Sequence, residues 1–217
     1  MANHDNSGAP AGVPRPPSSY LVLGGSGSGK SDFAQRLASR GGTSVTYLAT
    51  GTAEGPEMAW RIRKHQASRP SHWRTVEAQR DLAAALDRAA DPAPVVLLED
   101  VGSLTANCLP HVDQEDGEQA RPGADLAAAV GDLTSELDAV FDWCARQGKS
   151  LVVVSSEVGL GFLPSSPVSR LYKDAIGDVN QVLVARVDAA YLVVAGLPID
   201  LTAAARAVES ELSLRPD

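Results

Sequence analysis

Short, nearly uninterrupted apolar runs separated by longer stretches of helical periodicity set the plan of this chain. The runs Tyr20–Leu23, Ser44–Ala49, Arg74–Glu77, Val95–Glu99, Leu151–Ser155 and Ala190–Val194 are predicted as strands. Several are continuous rather than alternating, which is the pattern of strands covered by helices on both faces. Helical spacing predicts helices over Lys30–Ser39, Glu57–Ala67, Gln79–Ala89, Asp125–Arg146 and Ser169–Arg186, with a short final helix in the Ala-rich tail after Leu201. Strand and helix in alternation imply an α/β domain with a mostly parallel central sheet, layered between helices. Residues 1–18 are rich in Pro, Gly, Ala and Ser and nearly free of large apolar side chains, so they cannot offset the entropy of ordering and are expected to be a disordered leader. Residues 19–217 are then a single domain. The acidic and amide-rich stretch from Val112 to Gly123 is expected to be a solvated loop without chemistry.

The chemistry enters immediately after the first run. Gly24-Gly25-Ser26-Gly27-Ser28-Gly29-Lys30-Ser31 satisfies G-x-x-x-x-G-K-[ST] between a predicted strand and a predicted helix, the context a phosphate-binding loop requires. Its glycines let backbone N–H groups wrap phosphate oxygens, Lys30 reaches the β and γ phosphates, and the Ser31 hydroxyl ligates Mg²⁺. The helix beginning at Lys30 adds its N-terminal dipole. This makes the domain a three-layer P-loop NTPase type that binds a nucleoside triphosphate. No N-K-x-D segment follows a strand, and Asp174-Ala175-Ile176-Gly177 falls inside a helical pattern, so a guanine-binding switch protein is disfavoured.

A second constellation lies on the helix predicted after Gly55-Pro56-Glu57, where Arg61, His65 and Arg69 recur at i, i+4 and i+8 on one face. A cationic face of this kind suits a polyphosphate and favours the neutral, nucleophilic imidazole. Spacing alone favours a solvated face carrying a passive histidine. Glu99 ends the run Val95–Leu98, where phosphate-loop enzymes place an acid that acts through Mg²⁺, with Asp100 as its competitor. Glu157 precedes Val158-Gly159-Leu160-Gly161 and is either functional or a polar strand terminus.

Taken in order, LVLGGSGSGKS, YLATG, EMAWRIRKHQASRPSHWRTVE, VVLLED, SSEVGLGFLP and SRLYKDAIGDVNQVLVARVDAAYLVVAGLPIDL resemble the bifunctional adenosylcobinamide kinase/adenosylcobinamide-phosphate guanylyltransferase family of cobalamin biosynthesis over residues 20–201. The resemblance implies two reactions: phosphorylation of adenosylcobinamide by GTP or ATP, then transfer of GMP from GTP to adenosylcobinamide phosphate. It also implies a covalent guanylyl-histidine, which falls on His65. By the same resemblance Ala49, Thr50, Gly51, the segment Gln66, Ala67, Ser68 and Arg69, and Glu77 and Glu99 line the nucleotide site with the phosphate loop. Arg61 and Arg69 are expected to flank the α-phosphate, and Ser31 and Glu99 to hold Mg²⁺. A homo-oligomer, a trimer, is implied as well. The chain departs from the family in having Lys64-His65 where some relatives carry two histidines, Ser156 for an asparagine, and Glu99-Asp100 where many have Asp-Cys.

Bulk properties agree with a small-molecule enzyme. With 217 residues the chain can bury a full core, and its net charge of −8 disfavours nucleic-acid and anionic-membrane partners. Cys108 and Cys144 lack metal or disulfide spacing and are expected to be buried thiols in a reducing compartment. No membrane span or signal-peptide core is visible, so the expected location is the cytoplasm. A single-function phosphate-loop kinase, leaving His65 idle, and a nucleotide-gated binding protein without transfer chemistry are the alternatives.

Overall fold

The computed structural model describes residues 18–52, 55, 69–109 and 122–213. Seven strands form one sheet: β1 (Ser19–Gly24), β2 (Val45–Ala49), β3 (Arg74–Glu77), β4 (Val95–Glu99), β5 (Ser150–Ser156), β6 (Ala189–Val194) and β7 (Leu197–Asp200). Their spatial order is β3-β2-β4-β5-β1-β6-β7, parallel throughout except for the β6/β7 pair. Among the described residues the helices are α1 (Lys30–Gly41), α2 (Leu82–Ala89), α3 (Val101–Cys108), α4 (Pro122–Arg146), α5 (Pro167–Arg186) and α6 (Leu201–Ser213).

The continuous apolar runs are explained by two cores on opposite faces of the sheet. In β4, Val96 and Leu98 join the cluster built with Leu82, Leu86, Leu104, Leu133, Leu137 and Leu183 from α2 to α5. Val95 and Leu97 point the other way, into the cluster that packs Ala34 and Ala38 of α1 with Trp73. The result is the three-layer α/β sandwich anticipated for a P-loop domain. Parallel strands bring all their C-terminal ends to one edge, and that edge carries the site.

Differences from the sequence expectations have local causes. The helix expected from Gln79 starts at Leu82, because Asp81 adopts a left-handed φ of 52° and the cap comes from elsewhere. Glu136 of α4 accepts the Asp81 and Leu82 N–H groups at 2.9 and 3.1 Å. Helix α5 begins two residues earlier than expected, with Ser166 capping the Ser169 amide and proline in the first turn. Helix α4 begins at Pro122, inside the stretch expected to be a loop; the rest of that stretch lies outside the described residues, as does the helix expected over 57–67. Helix α3 and strand β7 were not anticipated. At the N-terminus, the Ser18 carbonyl already accepts the Leu151 N–H at 3.0 Å.

Candidate nucleotide-binding site

The phosphate loop leaves β1 at Gly24 and enters α1 at Lys30. Gly27 and Gly29 take φ of 70° and 88°, left-handed values that glycine adopts without strain. Gly24 has a different reason: a Cβ there would overlap Ser28 Oγ and stand 2.8 Å from the Val193 carbonyl oxygen. Gly29 offers no side chain to cap α1; the Lys30 N–H donates to Ser28 Oγ at 3.3 Å, and the rest of the first turn presents its N-terminal dipole to an anionic ligand. The Lys30 ammonium donates to the Gly25 carbonyl at 3.3 Å, folded over the loop it serves. Behind the loop stands the β6–β7 turn, Ala195-Gly196, with both φ positive at 51° and 81°. The Gly196 N–H donates to the Ser28 carbonyl at 2.8 Å, and the Gly196 backbone packs against Gly29.

Across the sheet edge, Ser31 Oγ donates to Glu99 Oε1. Of the two acids weighed, Glu99 is the one that faces the loop serine. Asp100 caps α3 by accepting the Ser103 N–H at 2.7 Å. The peptide joining the two acids is cis. Thr50 Oγ1 holds both polar backbone groups of Asp100, accepting from its N–H at 2.9 Å and donating to its carbonyl at 2.7 Å. Thr50, fully buried, is thus a brace for the acidic strand end, and its own carbonyl accepts from Asn107 Nδ2 of α3 at 3.0 Å.

Tyr47 on β2 extends the cluster. Burial, with the nearby Glu99 carboxylate adding to it, holds its phenol well above the ordinary range, so the hydroxyl keeps its proton beside that acid. The Arg69 guanidinium lies over the Tyr47 ring with its Cζ 3.7 Å from the centroid, and Arg69 Nη1 donates to Thr75 Oγ1 at 3.2 Å. Ser31, Glu99, Tyr47 and Arg69 form one connected group. Register places Ala49 between Glu77 of β3 and Glu99 of β4, so the three residues share one row at the C-terminal edge. Glu77 is exposed there, and Gly51 follows close to Ser103. Arg61, His65, Gln66, Ala67 and Ser68 lie outside the described residues.

Glu157 emerges as a loop organiser. Its N–H donates to the Gly24 carbonyl at 3.1 Å, and its carboxylate accepts the Gly159 N–H at 2.5 Å. Asn180 of α5 fixes the same strand end, accepting from Ser155 Oγ at 2.6 Å and donating to the Ser156 carbonyl at 3.0 Å. Tyr47, Asn107, Asn180 and Gly196 were not singled out from the sequence as site residues. Asn180 had a signal, the G-x-x-N-Q segment, while the others act through contacts with elements remote in the chain.

A phosphate loop on the first strand of a parallel sheet, with a carboxylate from another strand end meeting its serine, places the chain among P-loop nucleotide-binding proteins. Within that class, the profile of the cobinamide kinase / cobinamide phosphate guanyltransferase family matches residues 20–201, and the chain belongs to that family. It is 35% identical over 181 residues to the bifunctional adenosylcobalamin biosynthesis protein CobU of Escherichia coli, covering 83% of this chain and 98% of that protein. The Pseudomonas aeruginosa protein CobP, with the same description, is 36% identical over 183 residues, covering 83% and 95%. CobU of Salmonella typhimurium is 34% identical over 181 residues, covering 83% and 98%. Among the described residues no helix is long and apolar enough to cross a membrane.

Proposed function

We propose that this protein phosphorylates adenosylcobinamide with a nucleoside triphosphate, GTP or ATP, and then transfers GMP from GTP to the phosphate so formed. The observation that carries the reading is the Ser31–Glu99 contact at the mouth of the phosphate loop, in a chain of this family. In the first reaction the acceptor hydroxyl oxygen attacks the γ-phosphorus, the bond to the β-bridging oxygen breaks, and the hydroxyl proton is lost as the nucleoside diphosphate leaves. In the second, His65 attacks the α-phosphorus of GTP and pyrophosphate leaves. An oxygen of adenosylcobinamide phosphate then displaces the imidazole, breaking the P–N bond and forming adenosylcobinamide-GDP.

Described residues, together with Arg61 from outside them, are assigned the electrostatics of both displacements. Loop amides and Lys30 hold the polyphosphate, and Arg69, fixed over Tyr47, together with Arg61 offers positive charge to the α-phosphate. A hydroxyl and a carboxylate in contact form a hard-oxygen pair that suits Mg²⁺, and Ser31 and Glu99 would hold it. When bound, the ion supplies charge neutralisation to the phosphates. The reading also includes a trimeric assembly and a cytoplasmic setting, the latter supported by two free, buried thiols.

The test is covalent labelling. Incubation with α-labelled GTP and Mg²⁺ is expected to leave an acid-labile, alkali-stable label on the wild-type protein and none on His65→Ala, which retains phosphorylation of adenosylcobinamide. An unlabelled folded wild-type protein, or a His65→Ala variant that labels normally, overturns the guanylyl-histidine and leaves a single-function kinase.

A further inference from the structure

The loop from Glu157 to Ser166 joins β5 to α5 and displays three large apolar side chains to solvent. Leu160, Phe162 and Leu163 are 86%, 101% and 76% exposed. Exposure of this kind costs solvation free energy, and a loop left to itself would fold such residues inward. Here the backbone is held so that they cannot turn in. The Glu157 N–H is tied to the phosphate loop at Gly24, and its carboxylate clasps the Gly159 amide. A Cβ at position 159 would stand 2.8 Å from that carboxylate oxygen, so a side chain there would push the Glu157 carboxylate out of its present position. From α5, Lys173 Nζ donates to the Gly161 carbonyl at 3.2 Å, and Arg170 Nη1 donates to the Pro164 and Ser165 carbonyls at 3.0 and 2.7 Å. Two cations and one carboxylate thus spend their hydrogen bonds fixing the main chain of an apolar display.

Position limits what the display can serve. Strand β5 lies between β1, which carries the phosphate loop, and β4, which carries Glu99, so the loop rises from the same edge as the reacting phosphates. A nucleotide offers that edge phosphates, sugar and one base, and a single base does not account for three exposed apolar side chains on the loop after β5. An acceptor with a broad hydrocarbon-rich ring does, since its hydroxyl must reach the γ-phosphorus while its bulk rests outside the loop.

We propose that Leu160, Phe162 and Leu163 form the platform on which the corrin ring of the acceptor rests, which sets acceptor specificity in the phosphorylation step; this rests on the function proposed above. Lys173 and Arg170 are positioning residues that hold the platform open. The Gly161, Pro164 and Ser165 carbonyls that they bind are thereby satisfied.

The experiment uses the full chain with adenosylcobinamide as the probe. Steady-state kinetics are measured for wild type, for the Leu160→Ser/Phe162→Ser/Leu163→Ser variant and for Phe162→Leu, with sedimentation to report assembly. The triple variant is expected to raise the KM for adenosylcobinamide at least about tenfold, from the loss of several buried apolar contacts, with the KM for nucleotide unchanged. Phe162→Leu is expected to stay near wild type. An acceptor KM within twofold of wild type overturns the platform, as does a triple variant whose loss of activity tracks a change in sedimentation, which assigns the patch to contacts between copies. A wild-type protein that forms the GTP label yet never phosphorylates adenosylcobinamide overturns the functional reading itself, and the platform with it.

Discussion

Replacing Gly24 with alanine tests whether the phosphate loop is set by its contact with the neighbouring strand. The added Cβ would meet the Val193 carbonyl at 2.8 Å, where ordinary contact begins near 3.4 Å, so the pair must open by about 0.6 Å. Ser28 Oγ, also overlapped, can rotate away. The carbonyl cannot, because Gly24 and Val193 are register partners in the β1/β6 ladder. Forcing a methyl into a packed site costs about 1–3 kcal/mol. At about 2–4 °C per kcal/mol for a protein of this size, the melting temperature should fall by roughly 2–12 °C. The loop absorbs much of the shift, and since a misplacement of about 1 Å can cost about a hundredfold, kcat/KM for the triphosphate should fall some tens of times. Differential scanning fluorimetry with and without GTP, beside kinase kinetics, reads both effects. A variant with wild-type melting temperature and kcat/KM would refute the argument that the Gly24–Val193 approach shapes the loop.

Glu99→Gln keeps the side-chain shape but removes the charge facing Ser31, and turnover in the kinase reaction is expected to fall about 10²-fold or more with the fold intact by circular dichroism; undiminished turnover contradicts the assignment. Alkali should destabilise the protein in a defined window. Burial pushes the Cys144 thiol from 9.0 to about 12, and burial with a smaller push from Asp100 takes the Tyr172 hydroxyl from 10.0 to about 12. Both groups hold their protons more tightly when folded, so their contribution is full below pH 9.0 and is lost as pH rises towards about 12. Urea unfolding at a series of pH values checks it, and a stability that rises across that range would contradict the burial. Gly131→Ala lies on an exposed turn inside α4 with open space around the new methyl, and is expected to stabilise by about 0.5–1 kcal/mol without changing kinetics. Thermal melts measure it.

How far the chain could be read depended on whether a signal was local. Gly24 to Ser31 carries its chemistry in consecutive residues, and the four consecutive apolar residues of β4 announce a strand buried on both faces, so the loop, the strand ends and Glu99 were legible. Helix α3 was hidden because Val101-Gly102-Ser103-Leu104-Thr105 has poor helix formers; its tertiary packing and the Asp100 cap override them. That cap had been weighed only as a rival metal ligand. Strand β7 contains Pro198, which ordinarily argues against a strand, yet it sits at the open edge of the sheet where a missing donor is tolerated. Tyr47 looked like core: it is 4% exposed, and only its hydroxyl, reaching Glu99 two register rows away, joins it to the site. The start of α2 depended on Glu136, more than fifty residues downstream, which no window centred on Gln79 contains.

The sheet order has a consequence for how the protein comes to exist at all. The strand bearing the phosphate loop is the first to leave the ribosome, yet it is flanked by β5 and β6, which are made some 130 and 170 residues later. The turn that backs the loop, Ala195-Gly196, comes later still. Until β6 has been made, in the last quarter of the chain, the first strand has only β5 beside it, and the loop lacks the turn that backs it. Translation that stops before Ala189 yields a chain carrying every residue of the loop and lacking one of the two strands that hold it in shape.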